Sequence, residues 1–222
     1  MTVHLVSPMT PEGAPGAVEF YESAHVPWRT LVVRGLSKGQ VVDWMGPLMA
    51  QGEAVAQPEP KEHVLWGLPP WRRMVGPQSF LNPFPTDVVG YIAGACGGKV
   101  IPNLPQVPKR HYVLPRVAAW VGVRMVLEAW GLEGVLHETE DGALYVGPKG
   151  SSPNAGSTVR LKEEEVAVHR PMGQGIYYLK TRPLPQLRLY NRIMAPGGGG
   201  RVREHRLVLT PHAAYHEVFY EG

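Results

Sequence analysis

Proline sets the first limit on what this chain can fold into. Seven prolines (Pro58, Pro60, Pro69, Pro70, Pro77, Pro83 and Pro85) fall within Glu53–Pro85. Each fixes φ and removes an amide donor, and each biases the preceding residue toward extended backbone. Long regular elements are excluded from this stretch. Trp66, Trp71, Phe80 and Phe84 are nevertheless interleaved with the prolines. Aromatic side chains bury large areas, so the stretch is expected to be a packed, irregular crossing segment.

Outside it, periodicity predicts an α+β fold with a mixed or antiparallel sheet and a few helices. Short extended runs are expected at Val3–Val6 and Thr30–Val33. Ser37 and Gln40 form a capping box before a helix that buries Val41, Val42, Trp44, Met45, Leu48 and Met49, kinked at Pro47. Thr86–Cys96 is a second helix, with Thr86 as cap and Asp87 in the first turn. Ile101–Val107 and His111–Pro115 are extended. Val117–Trp130 is a buried helix, apolar on almost all sides and closed by Gly131. Gly134–Val146 is a hairpin turning at Asp141-Gly142. Further strands are expected at Thr158–Leu161, Val166–His169, Gly175–Lys180 and Arg201–Leu209. Pro183–Met194 is expected to be a short helix presenting Arg188 and Arg192 on one face, and Gly197–Gly200 a flexible connector. The chain divides into a 1–85 α/β segment, an 86–195 α+β domain and a 196–222 strand and tail.

Composition excludes several classes of function. The single cysteine, Cys96, rules out an internal disulfide and zinc sites built on cysteine pairs, and fits a reducing compartment. Met1–Met9 lacks a basic start followed by an apolar core, so no signal peptide is expected, and no apolar run is long enough for a membrane span. A cytoplasmic location follows, or a virion if the chain is phage-encoded. Arg outnumbers Lys 15 to 7 and Asn occurs four times. With many prolines, this is the bias of a thermophile, and a GC-rich genome produces the same one.

Charge is uneven. Residues 1–100 carry 7 basic and 8 acidic side chains, whereas Arg170–Arg206 carries eight basic residues against Glu204 alone. Such a block suits a polyanionic partner. One concave basic face would favour nucleic acid, and dispersal into ion pairs would favour a structural role.

Gly97-Gly98-Lys99 fails as a phosphate loop, because Ala93 and Val100 stand where that motif needs Gly and Ser or Thr. No Gly-x-Ser-x-Gly elbow is present, Cys96 sits on an apolar helix as a core residue, and no catalytic residue is assigned. Gly90 and Gly94, one helical turn apart, with Gly97 and Gly98 beyond them, remove the side-chain layer from one helix face and allow close approach of another backbone, at a cost of about 1 kcal/mol per glycine. His212 and His216, with His205 nearby, are a candidate divalent-metal set for a hydrolase; no other cofactor is expected.

The motif Tyr91-Ile92-Ala93-Gly94, followed by extended segments, a helix and a hairpin, resembles the LAGLIDADG homing-endonuclease family over about Thr86–Arg192. That resemblance implies an αββαββ central region. The family's metal-binding acids align with Gly97 and Lys99, which cannot hold magnesium, so it implies a degenerate, catalytically inactive nucleic-acid-binding protein. Lys109, Arg110, Arg160, Lys180, Arg182, Arg188 and Arg192 become candidate phosphate contacts, and the glycine face packs against a partner copy. The alternative is a structural or assembly protein such as a phage virion component, working as a homo-oligomer or within a larger assembly. Its support is the long extended segments, the aromatics in irregular stretches and the lack of a catalytic constellation.

Overall fold

The computed structural model describes residues 16–35, 52–58 and 61–222. The strand expected at Val3–Val6 and the capped helix expected over Val41–Met49 lie outside them. In chain order the elements are β1 (Ala17–Ser23), β2 (Thr30–Arg34), β3 (Glu53–Ala56), β4 (Glu62–Trp66), β5 (Met74–Val75), β6 (Gln78–Leu81), α1 (Pro85–Cys96), β7 (Val100–Pro102), β8 (His111–Leu114), β9 (Val117–Ala118), α2 (Ala119–Ala129), β10 (Val135–Glu138), β11 (Leu144–Gly147), β12 (Thr158–Arg160), β13 (Val166–Gly173), β14 (Ile176–Thr181), β15 (Arg192–Ala195), β16 (Gly198–Leu209) and β17 (Ala214–Glu221). Strand dominates, with two α-helices among the described residues, so the α+β class holds.

A ten-stranded sheet runs β13-β14-β17-β16-β1-β2-β4-β3, with β15 pairing β16 and β12 pairing β15. Strict alternation builds it. Along β1, Val18, Phe20 and Glu22 turn to the buried face, while Glu19 and Tyr21 turn outward. Beneath that face lie two apolar clusters. One gathers Val18, Phe20, Leu31, Val33, Leu65 and Leu207. The other gathers Leu161, Leu179, Leu184, Leu187, Ile193, Val202, Val218 and Tyr220.

The third and largest core belongs to residues 68–146, where α1 and α2 pack together over Leu68, Trp71, Val75, Tyr112, Leu114, Leu136, Leu144 and Val146. The Pro-rich stretch enters this core through Trp71, which is fully buried. It is more regular than its prolines suggest. β3, β4, β5 and β6 all fall within it, because each is short enough to fit between the prolines. Trp66 stacks on Trp28, which meets Trp120 edge-on, joining the large sheet to α2.

The helices follow their sequence signals closely. α1 begins at Pro85 rather than Thr86, and Asp87 accepts from the Phe84 amide at 2.9 Å. Proline at the first helical position costs no hydrogen bond. The expected hairpin forms from β10 and β11, but its loop is Glu140-Asp141-Gly142, wider than a two-residue turn. The Thr139 hydroxyl accepts from the Ala143 amide at 3.0 Å and spaces the strands.

Two expectations fail. Residues 183–191 are irregular, not helical, because Pro183 and Pro185 break the turn while Leu184, Leu187, Leu189 and Tyr190 all seek the sheet. Gly197–Gly200 is no flexible connector. Gly198–Gly200 open β16, and a Cβ on Gly200 would lie 1.7 Å from the Glu221 carbonyl oxygen of β17. These glycines let two strands approach.

The αββαββ pattern does not form. β7 pairs with β11, β8 with β6 and β9 with β5, so the strands after α1 join three different small sheets.

Candidate assembly surface

The most exposed large apolar side chains cluster on the β6–β8 ribbon. Its register sets Ser79 opposite Val113 and Leu81 opposite His111. Alternation then separates two faces. Phe80, Tyr112 and Leu114 turn into the α1–α2 core. Leu81 and Val113 turn to solvent, 71% and 63% exposed. The separate β5–β9 pair exposes Met74. Arg110 and Arg116 are exposed beside these residues. Exposed apolar side chains with basic residues near them in sequence are a pattern of interaction surfaces.

Helix α1 presents a second open face. Gly90 and Gly94 are exposed, and a Cβ at either would meet no atom within 4 Å. The expected bare glycine face exists, with nothing against it among the described residues. Gly97 and Gly98 do other work. Gly97 caps the helix with φ of 73°, and Gly98 lies against the Trp71 ring.

The basic block is dispersed. Arg182 pairs with Glu165 at 2.6 Å, Arg203 with Glu221 at 3.3 Å, and Arg206 with Glu19 at 2.6 Å. Arg201 donates to the Ala155 and Tyr190 carbonyls. Arg170 and Lys180 lie over the Tyr178 and Tyr215 rings. Of the candidate phosphate contacts, Arg188 is buried, its guanidinium donating to the Pro185 and Leu187 carbonyls. Lys109 sits over the Trp130 ring, Arg110 is exposed just before β8, and Arg160 and Arg192 are exposed on the paired strands β12 and β15.

The histidines are organised differently from a metal centre. Among the described residues no group of three His, Cys, Asp or Glu side chains could hold a metal ion. His212 is exposed in the β16–β17 turn. His205 and His216 are buried and bonded to each other, Nδ1 to Nε2 at 2.9 Å. They belong to a polar seam on the buried face of the large sheet. Register places Glu22 directly opposite His205, and His205 Nε2 lies 2.6 Å from Glu22 Oε2. Arg29 Nε donates to Glu22 Oε1 at 2.5 Å, and the Leu189 amide donates to Oε2 at 3.1 Å. At the other end the Leu184 amide donates to His216 Nδ1 at 3.1 Å. Irregular residues 183–191 are thereby tied to the sheet through Leu184 and Leu189, and beyond them by backbone bonds of Tyr190 and Asn191 to Val202 of β16 at 2.9 and 3.0 Å.

Electrostatics follow from burial and neighbours. Burial alone would raise the Glu22 carboxyl, but Arg29, His205 and Arg188 together hold it well below the usual carboxylate range. Burial pushes His216 down to about 2, reinforced by His205. On the far side of Arg29, burial pushes Glu138 up to about 7 against the pull of that guanidinium. His137 and Ser152 are also in contact, Nε2 to Oγ at 2.8 Å, but both are buried. The pair fastens the loop after β11 and presents no nucleophile.

No protein-family model matches this chain, and no curated protein does. Solved structures do match. A tail protein from Neisseria meningitidis MC58 superposes with a TM-score of 0.65 at 10% identity, over 94% of this chain and 92% of that one. The 43 kDa tail protein of prophage MuSo2 from Shewanella oneidensis gives 0.63 at 9% identity, over 93% of each chain. An E. coli protein described as a component of the type VI secretion system, similar in structure to the T4 bacteriophage tail proteins gp27 and gp5, gives 0.61 at 7% identity, over 92% of this chain and 72% of that one.

The LAGLIDADG resemblance, and the nucleic-acid-binding function built on it, are overturned by these matches, which run through Thr86–Arg192 and beyond. Tyr91-Ile92-Ala93-Gly94 is an ordinary turn of an amphipathic helix, with Ile92 and Ala93 in the core and Tyr91 and Gly94 outside. What the likeness establishes is the fold, which this chain shares with the two tail proteins over 93–94% of its length.

Proposed function

We propose that this chain is a structural subunit of a phage-tail-type or type-VI-secretion-type assembly, a particle component that acts by packing against neighbouring subunits. The observation that carries this reading is the extent of the fold match, above 90% of this chain and of both tail proteins. A domain inserted in an unrelated enzyme would match over a fraction of one partner. The dispersed basic side chains and the exposed Leu81–Val113 face support it further. Its partners are other protein subunits, copies of this chain among them. Among the described residues no helix is long and apolar enough to cross a membrane.

The test is to pellet tail-like particles from cells that make this chain and quantify it by mass spectrometry. The expected result is a fixed stoichiometry with the other particle proteins. A chain found only as free monomer, and missing from washed particles, contradicts the proposal.

A further inference from the structure

The seam between β1, β16, β17 and residues 183–191 has a fixed proton arrangement. The Leu184 amide must donate, so His216 Nδ1 is a bare lone pair. A neutral His216 therefore carries its hydrogen on Nε2, which donates to His205 Nδ1. His205 in turn carries its hydrogen on Nε2 and donates to the Glu22 carboxylate. Glu22 already accepts from Arg29 on Oε1 and from His205 and the Leu189 amide on Oε2. Every gap along Leu184–His216–His205–Glu22 holds one hydrogen. A further proton on either imidazole must face another donor.

We propose that this hydrogen-bonded chain is an acid-released latch, in which one added proton on His216 frees residues 183–189 from the large sheet while Tyr190 and Asn191 stay anchored to Val202 of β16. The neighbourhood offers that proton no shelter. Arg29 comes from the β1–β2 connection, and Arg188 from the segment itself. Phe20 places its ring 5.8 Å from that of His205. Glu22 is already neutralised by Arg29. From β10, Glu138 sits behind Arg29 and takes its own proton in acid, and His137 is spent on the Glu138 carbonyl and Ser152. Arg188 reaches Glu140 at 3.3 Å, away from the imidazoles. A cationic His216 therefore meets the Arg188 guanidinium, the His205 imidazole and a donor amide against the pull of Glu22 alone, and the favourable outcome is exposure of the imidazole to water. That requires the Leu184 bond to open. Leu184, Leu187 and Leu189 leave the sheet with it, because no helix holds the segment together.

The sign follows from linkage. His216 binds its proton more weakly in the closed state than in the open one. Closure is therefore fully favoured above the ordinary histidine range, near 6.5, and weakens as pH falls below it. One proton per opening makes opening about tenfold easier for each pH unit below that point.

Hydrogen–deuterium exchange on the full chain reads this directly. After correction for intrinsic exchange, protection of Leu184 and Leu189 should fall about tenfold per pH unit between pH 6.5 and 4.5, while Val123 in α2 keeps its protection. Flat protection at Leu184 and Leu189 overturns the latch, and so does a fall shared equally by Val123. The H216N variant keeps a carbonyl acceptor for the Leu184 amide without a titratable group, and should flatten the pH dependence. If that variant does not fold, ring-nitrogen NMR of the wild-type chain decides. His216 should be in the Nε2–H form and remain neutral until Leu184 loses protection. A titration near 6.5 with Leu184 still protected overturns the proposal.

Discussion

The Glu22–His216 seam and the β6–β8 ribbon invert the usual placement of polarity in opposite directions. The seam sets a carboxylate and two imidazoles where β1, β16 and β17 otherwise turn Phe20, Leu207 and Val218 inward. The ribbon sets Leu81 and Val113 in solvent. Yet the seam is closed and the ribbon is open. Both Glu22 oxygens and all four imidazole nitrogens of His205 and His216 find partners within the chain. Among the described residues nothing covers Leu81, which is 71% exposed. Buried charge persists when it is paired, whereas an exposed apolar face calls for a second molecule. One region holds the fold, and the other is what the fold offers to its surroundings.

The sharpest way to break that contrast is to unpair the seam. The E22Q variant preserves shape but removes the charge between Arg29, Arg188 and His205. Breaking a buried pair from one side costs about 3–5 kcal/mol, because the remaining charge stays buried. Urea unfolding of the variant should show a loss of that size. A loss below about 1 kcal/mol would mean the seam is solvated and not the closed network described above.

A smaller effect, of opposite sign, is expected next door. Glu138 is 3% exposed, and its carboxyl titrates at about 7 in the fold against the ordinary carboxylate value when unfolded. A raised carboxyl stabilises fully below that ordinary value, and the contribution is lost as pH climbs through 7. E138Q retains a carbonyl to accept the Arg29 amide and never ionises. It should be more stable than the wild-type chain at pH 8 by on the order of 1–3 kcal/mol, with the difference vanishing below about pH 4. Thermal melts at the two pH values measure it. A variant less stable at both would show that the Arg29 guanidinium depends on the Glu138 charge.

The seam was partly legible before any coordinates. Val18-x-Phe20-x-Glu22, His205-x-Leu207-x-Leu209 and His216-x-Val218-x-Tyr220 each place a polar residue in phase with an apolar alternation. Period-two phase assigns such a residue to the inner face. His205 and His216 stood out by sequence proximity, but Glu22 lies 183 residues from His205, and only strand pairing joins them. The helices and the β10–β11 hairpin were legible because their signals are local: Asp87 in the first turn of α1, Gly131, and Asp141-Gly142. Residues 183–191 were misjudged because Arg188 and Arg192 suggested a helical face, while the fate of the segment was set by four apolar side chains and a sheet formed elsewhere. The basic block misled for a related reason. Its acidic partners, Glu19, Glu165 and Glu221, lie outside it in sequence, so net charge by segment concealed the pairing.

The ribbon supplies the last and smallest effect on folding. Leu81 and Val113 sit on the outer side of β6 and β8, while Phe80, Tyr112 and Leu114 do the packing inside. Replacing both with glutamate should therefore change unfolding free energy by no more than about 0.5 kcal/mol, and the carboxylates would find Arg110 and Arg116 close by. Assembly should respond quite differently. Each lost apolar anchor removes about 1.5–3 kcal/mol of burial, and each carboxylate enters the contact at a desolvation cost. Together these weaken association by at least about 100-fold at 1.4 kcal/mol per factor of ten. Sedimentation of L81E/V113E beside the wild-type chain, with incorporation into particles as the second readout, separates the alternatives. A monomer of unchanged stability that no longer enters particles assigns the ribbon to the interface. An unstable monomer would assign it to the fold. Unaltered incorporation would move the contact elsewhere, with the open glycine face of α1 as the next surface to test.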